Sequence, residues 1–355
     1  MVFRNFLKST VPVALAICGL LLVQDEAKAV VYGKDLFWPT PNYAFIDGLP
    51  PETYLQPTTS GRVESGDWGC SRDNGEKFHE GVDLKSIHRN IMKTTDDRIF
   101  CVADGFVAHV NRNVADSNYG LYVVVSHYEG GLEWFSLYAH LNSIDKFIEP
   151  RKRIRGGETI GVMGNTSSSI VIPDCNSHLH LEIGLRASSQ FDVWYLQQHY
   201  DSPNQHGSWN GINLVGTNPL AFYQYFLDHP DAKFSDYFLN ETVSFEVLVH
   251  FEESPDFLNR NPVFSSNHKV SGKGGWYNIG YTWYGLPIQW TALPDNQVDL
   301  RYRKDQTYIR SLKHERSCRK WIEESQGCLV PTSLLQWYVS ILKAGDGARL
   351  SKDSH

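Results

Sequence analysis

The run His178 to Leu185, which opens His178-Leu179-His180, constrains this chain more than any other feature. Its residues alternate, and in a β-strand the side chains at i and i+2 share a face. Two imidazoles then stand side by side, while Leu179 and Leu181 point the other way, into a core. Such a strand needs partners, and the flanking sequence supplies them. Ile99 to Val110 is rich in β-formers with Gly105 interrupting it, and Leu121 to His127 contains Tyr-Val-Val-Val. Glu133 to Tyr138 follows the turn Glu129-Gly130-Gly131, and Glu158 to Met163 ends at Gly164-Asn165. Short strands with glycine turns between them predict an antiparallel sheet folded on itself, a mainly β sheet or sandwich.

The rest of the chain divides around that block. Arg4 and Lys8 precede the apolar run Val11 to Val23 and then Ala27-Lys28-Ala29. A basic start, an apolar stretch and a small-x-small site predict a cleaved signal peptide over 1–29. The run is short for a membrane span, so no stable span is expected after cleavage. The expected location is therefore exported, periplasmic or secreted. Residues 30–60 carry Pro39, Pro41, Pro50, Pro51 and Pro57 and read as an extended arm over a surface. Residues 61–230 form the main domain. Phe191 to His199 and Pro219 to Leu227 are compatible with helices, the second opened by Asn218-Pro219. Beyond Pro230 a smaller α+β domain is expected over 231–355, from the strand-like Val243 to Phe251 to the amphipathic Thr332 to Lys343. Its aromatic run, Trp276, Tyr277, Tyr281, Trp283, Tyr284 and Trp290, reads as core before it reads as a sugar-binding face. The formal charge of −7 speaks against a nucleic-acid partner. After cleavage five cysteines remain, of which Cys318 and Cys328 lie close enough in sequence to pair.

Three short motifs bear chemistry. The His178/His180 pair can bind a metal with both rings, or one ring can bind while the other serves a reaction. His79-Glu80-Gly81-Val82-Asp83 sets an imidazole and a carboxylate four residues apart. Gly81 and Val82 disfavour a helix there, and in an extended segment i and i+4 also share a face. Tyr138-Ala139-His140-Leu141 ends a strand, with Tyr138 and His140 at i and i+2. Each motif alone is compatible with a solvated or strand-capping histidine. Together they offer four histidines and one aspartate. Two imidazoles and a carboxylate make a three-ligand zinc site that leaves one position for water. The remaining histidines can move its protons. His-Glu-x-x-His is absent from the sequence, which excludes that helical zinc-protease signature. His127, His109 and His88 read as structural or surface residues, and Glu182 as either a partner of His180 or a solvated carboxylate.

His-x-x-x-Asp, Tyr-x-His-Leu and His-Leu-His-Leu-Glu, in that order, resemble the lysostaphin-like zinc endopeptidases of family M23. Phe78 to Leu84 resembles the first motif of that family, and Ala103 to Val107 its alanine-x-glycine-x-valine strand. Gly156 to Gly161 resembles the turn before the last core strand, and Asn218-Pro219 the closing segment. The resemblance covers residues 61–228. It implies a lysostaphin-like antiparallel sheet crossed by a groove, with Zn2+ bound by His79, Asp83 and His180. It further implies that His140 and His178 act on the attacking water and the transition-state charge. The implied substrate is a peptide stem or cross-bridge of bacterial peptidoglycan. Asp67 to Arg72 departs from the phenylalanine-glycine-x-arginine of many members, which affects the groove entrance and not the ligands. Two other readings compete: a secreted protease acting on glycine-rich proteins, and a non-catalytic relative that binds or activates a partner. The complete ligand set disfavours the last.

Overall fold

The computed structural model describes residues 29–31, 36–91, 94–266, 274–314 and 318–346. All but the last residue of the expected signal peptide lies outside them. Among the described residues no helix is long and apolar enough to cross a membrane.

A seven-stranded antiparallel sheet organises the molecule, and the fold is mainly β, as expected. Its strands run in the spatial order Arg153–Ile154, Gly105–Asn111, Leu121–Glu129, Leu132–Leu141, His178–Arg186 and Leu214–Thr217, with Val82–Lys85 also paired to His178–Arg186. One flank of His178–Arg186 is thus shared end to end by two short strands. Val82–Lys85 pairs with residues 178–181 and Leu214–Thr217 with residues 183–186. Gly81 lies where they meet, and a Cβ there would collide with the Leu181 carbonyl, so the close approach requires glycine.

The two faces of the sheet differ in chemistry because the residues alternate. Leu179, Leu181, Ile183 and Leu185 are fully buried in the main core, together with Val123, Val125 and Tyr138. The opposite face carries a smaller apolar cluster of Tyr122, Val124, Phe135, Leu137 and Ala139, and beside it His178, His180 and Glu182. Pro219–Asp228 is a helix whose first turn is capped by Asn218, which accepts from the backbone N–H groups of Leu220 and Ala221.

The segment expected as a surface arm is built into the core instead. Leu36 and Trp38 are fully buried, and the Trp38 indole donates to the Asn42 carbonyl at 2.7 Å. Farther along, the Lys85 N–H donates to Tyr54 O and the Gln56 N–H to Asp83 O, both at 2.8 Å. The segment therefore covers the free edge of Val82–Lys85. Proline richness reports extended backbone but says nothing of which aromatic side chain the core will take.

The C-terminal unit is α+β. Pro287–Leu293, Gly275–Tyr281, Phe245–Phe251 and Tyr308–Leu312 form a four-stranded antiparallel sheet, followed by the hairpin Ile322–Ser325/Cys328–Pro331 and the helix Ser333–Leu342. The aromatic run is mainly core: Trp276, Tyr277, Tyr281, Tyr284 and Trp290 are buried and Trp283 is half-buried. This unit shares one continuous apolar core with the large sheet. Phe234 packs on Trp134 of the sheet, with ring centroids 4.8 Å apart. A buried ionic network joins the units as well. Glu133, 4% exposed, accepts from Arg186 at 2.7 Å and from Arg260 at 3.3 Å. Glu133→Ala would leave the enclosed Arg186 guanidinium without its carboxylate, while Arg260 keeps Asp256. Chemical denaturation at pH 7 should then show a loss of about 3–5 kcal/mol.

The expected Cys318–Cys328 pair is corrected by the structure. Cys318 is bonded to Cys70, with Cα atoms 5.8 Å apart, and Cys328 is free and exposed. Cys328 opens the outer strand of a solvent-facing hairpin, opposite Ser325, so nearness in sequence does not bring it to Cys318.

Candidate active site

Antiparallel pairing sets the site. His180 lies directly opposite Asp83 on one side and Ala139 on the other. Cross-strand partners share a face, so the Asp83 carboxylate and the His180 ring meet, with Oδ1 3.0 Å from Nδ1. The small Ala139 leaves room on the other side. His79 arrives from a separate two-stranded hairpin, Gly69–Arg72/Lys77–His79. Its Nε2 lies 3.1 Å from His180 Nδ1 and 3.3 Å from Asp83 Oδ1. The three residues are buried, at 5%, 3% and 6% exposure for His79, Asp83 and His180. Among the described residues they form the one group of three or more His, Cys, Asp or Glu side chains close enough to hold a metal.

The partners of each ring decide what it offers. A carbonyl oxygen only accepts, so a ring nitrogen facing one must carry the proton. His79 Nδ1 donates to Asp67 O at 2.7 Å, which leaves Nε2 bare and turned inward. His180 Nε2 donates to Glu182 Oε1 at 3.0 Å, which turns Nδ1 inward. The same glutamate oxygen accepts the Tyr119 hydroxyl at 2.6 Å. Burial and the Glu182 charge hold Tyr119 well above its ordinary pKa, so it stays a donor. Three acceptor atoms thus converge with their outer partners already fixed. Such a set needs a cation between its members, and two imidazoles with one carboxylate suit zinc.

A proton and a guanidinium also hold the cluster. Arg72 Nη2 donates to Asp83 Oδ2 at 2.5 Å and sits 2.8 Å from His79 Nε2. Burial alone would raise Asp83, but the surrounding histidines, with a hydrogen bond from His180, hold it well below the usual carboxylate range. Burial opposes charge on His180, yet the hydrogen bonds to Asp83 and Glu182 carry its pKa up to about 9.

His178 and His140 complete the face. His178 Nδ1 donates to Asn176 O at 2.7 Å, and its Nε2 stands 3.5 Å from Asp83 Oδ1. His140 Nδ1 donates to Thr166 O at 2.8 Å, and its ring centroid lies 5.0 Å from that of His178. Burial, aided by the neighbouring histidines, lowers the pKa of His140 to about 3, and burial lowers that of His178. Both rings are neutral at pH 7, with Nε2 as acceptor.

His140 reaches this face by a route that the i, i+2 reading with Tyr138 misses. Tyr138 pairs with Leu181 and points into the core, so strict alternation would send His140 there too. Leu121 opposes Leu141 and Val123 opposes Tyr138, so Ala139 and His140 together stand against Tyr122. That is a β-bulge, and His140 has φ +59°, in the left-handed region. Bulges re-aim side chains beside functional sites, and strain of this kind is concentrated there.

All five residues singled out in the sequence are therefore brought together. Sequence reasoning missed Arg72, Tyr119 and the Asp67 carbonyl. Arg72 stood in the segment noted as atypical, whereas Tyr119 lies in the loop before a strand and carries no motif. His127, read as structural, is buried, donates to Asp104 O at 2.8 Å and stacks on Trp134. An open groove of about 420 Å³ runs over the cluster, walled by Thr58, Thr59, Asn118, Ser167 and the 170–173 loop.

Residues 77–192 match the model of peptidase family M23. This stretch is an M23-family peptidase domain. It holds Asp83 and all four histidines but begins after Arg72. A zinc-containing peptidase from Vibrio cholerae is 22% identical over 30% of this chain and 26% of its own, with a TM-score of 0.23. The catalytic domain of lysostaphin from Staphylococcus simulans is 15% identical over 45% of this chain and 87% of its own, with a TM-score of 0.28. A protein named CbpA from L. salivarius is 21% identical over 50% of this chain and 97% of its own, with a TM-score of 0.29. The chain thus spans about a quarter of the length of the Vibrio cholerae protein, 26%. No curated protein matches the chain.

The raised pKa of His180 sets a pH dependence for metal binding in the M23 domain. With a pKa of about 9, His180 carries a proton at pH 7, and a metal ligand must be neutral. Zinc binding at pH 7 should release about one proton, and affinity should rise roughly tenfold per pH unit up to about pH 9. Titration calorimetry in buffers of different ionisation enthalpy measures this directly. Proton-independent binding would contradict it.

Proposed function

We propose that the chain is an exported zinc endopeptidase that hydrolyses peptide cross-links of bacterial peptidoglycan. The observation that carries this reading is the convergence of three ligand atoms, His79 Nε2, Asp83 Oδ1 and His180 Nδ1, within an M23-family domain. Zinc bound there would acidify a water in its open position and polarise the scissile carbonyl. The side chains of this domain do the rest. His178 and His140 present neutral Nε2 atoms toward the groove, and their Nδ1–H groups are pinned to carbonyls. Each can take a proton from the water and return it to the leaving amine. Arg72, which contacts His79 and Asp83, would stand beside a bound metal and could face developing negative charge.

The groove supports an extended, small-residue peptide. Its hydroxyl and amide groups, from Thr58, Thr59, Asn118 and Ser167, can hydrogen-bond a peptide backbone, and Ile170 to Pro173 add an apolar rim. A flexible cross-bridge next to glycine or a D-residue suits it. A secreted protease for glycine-rich proteins would use the same groove, so the substrate assay must include both.

The purified zinc-loaded chain should release soluble muropeptides from purified walls. Cleavage of an elastin-like protein with intact walls would move the assignment to the second substrate. His178→Ala and His140→Asn should keep zinc and lose hydrolysis by about 10²–10⁴-fold. Asparagine tolerates the left-handed backbone at residue 140. Equal loss of zinc and activity in both variants would make these residues ligands and overturn their assigned role.

A further inference from the structure

The three acceptor residues are not held in the same way. Asp83 and His180 are fixed by the ladder of the large sheet. His79 ends a hairpin whose strands, Gly69–Arg72 and Lys77–His79, have four and three residues and form their own two-stranded sheet. An isolated two-stranded hairpin is marginal in water. A metal centre, however, needs its ligands held to within about 0.5 Å. Something outside the hairpin must hold it.

The C-terminal unit surrounds it. Cys70, directly opposite Phe78 in the hairpin, is bonded to Cys318. The Arg319 guanidinium lies over the Phe78 ring, 4.0 Å from its centroid, and reaches Glu80 Oε1 at 3.5 Å. Trp283 meets Trp68 edge to face at 5.3 Å and Phe78 at 5.8 Å, and Tyr284 meets Trp68 at 5.0 Å. The residues on both sides of His79, Phe78 and Glu80, are thus gripped by one arginine. Trp68, which follows the carbonyl that sets the His79 tautomer, is gripped by two aromatic rings. From the large sheet the same hairpin region receives two ties, the Arg72–Asp83 ion pair at 2.5 Å and the Trp68 indole to Gly216 O at 3.3 Å; neither touches Phe78 or Glu80, the residues beside His79. The M23-matched stretch ends at residue 192, so these contacts come from outside it.

We propose that the C-terminal unit is the positioning scaffold of the metal centre, with Cys318, Arg319 and Trp283 holding the hairpin that presents His79. Zinc affinity then depends on residues that never touch the metal. This rests on the metal-centre reading above. It assigns no ligand and no catalytic residue to the C-terminal unit.

The test uses the full chain. Replacing both cysteines, Cys70→Ser with Cys318→Ser, removes the cross-link without leaving a thiol to bind zinc. Arg319→Met removes the grip on Phe78 and Glu80 with the disulfide intact, and Arg319→Lys restores a cation over the ring. Zinc dissociation constants come from chelator competition. The visible spectrum of the cobalt-substituted chain reports ligand geometry independently of activity. The double variant and Arg319→Met should bind zinc about 10–100-fold more weakly, as when partners behind a ligand are removed. Their cobalt spectra should be altered, and Arg319→Lys should recover part of the affinity. If the double variant fails to fold, the two arginine variants decide the matter. Wild-type affinity and spectrum in Arg319→Met, or a fall in thermal stability with an unchanged cobalt spectrum, would overturn the proposal. A wild-type chain that binds neither zinc nor cobalt would instead overturn the metal-centre reading.

Discussion

Asp83 and His180 face each other across an antiparallel pair, and the chemistry of this molecule depends on the register that puts them there. A slip of one residue in either strand would turn its polar side chain into the core and bring Leu84 or Leu179 to the groove instead. The register is fixed by burial on the other face, where Leu179, Leu181 and Ile183 have no exposure. The apolar half of the strand thus aims the polar half. Alternating sequence specifies this at low cost, because one period serves both faces.

Three constraints follow from placing acceptors together inside a protein. Their outer atoms need partners, which Asp67, Glu182 and Tyr119 provide. Their inner atoms need positive charge, which Arg72 and a proton on His180 supply. His140 must approach from a third direction, for which Leu132–Leu141 breaks its own alternation at a bulge. The backbone strain sits on a residue whose ring faces the groove, as expected where strain serves a site. Beneath this, one hydrophobic core is common to both units.

Much of this was legible in the sequence. The strands at Leu121–Glu129 and His178–Arg186 follow from β-branched runs and alternation, and the helix at Pro219–Asp228 from its Asn-Pro start. His79, Asp83, His140, His178 and His180 could be named because motif order carries family information that single spacings lack. Non-local facts were out of reach. The orientation of His140 depends on a bulge set by pairing with another strand. The partner of Cys70 lies 248 residues away. The proline-rich segment lies in the core because Trp38 fills a site created by Tyr223 and Phe45. Arg72 acts through space, from a strand whose sequence carries no ligand motif.

X-ray absorption at the zinc edge, on the chain loaded with one equivalent of zinc at pH 7.5 or thereabouts, tests the central claim most directly. The account predicts a four-coordinate shell of nitrogen and oxygen at about 2.0–2.2 Å, with an imidazole signature for two rings and no sulfur. Replacing Asp83 with alanine should remove one oxygen from that shell. A shell containing sulfur near 2.3 Å, or six oxygens with no imidazole signature, would mean that the metal lies elsewhere and would contradict the account.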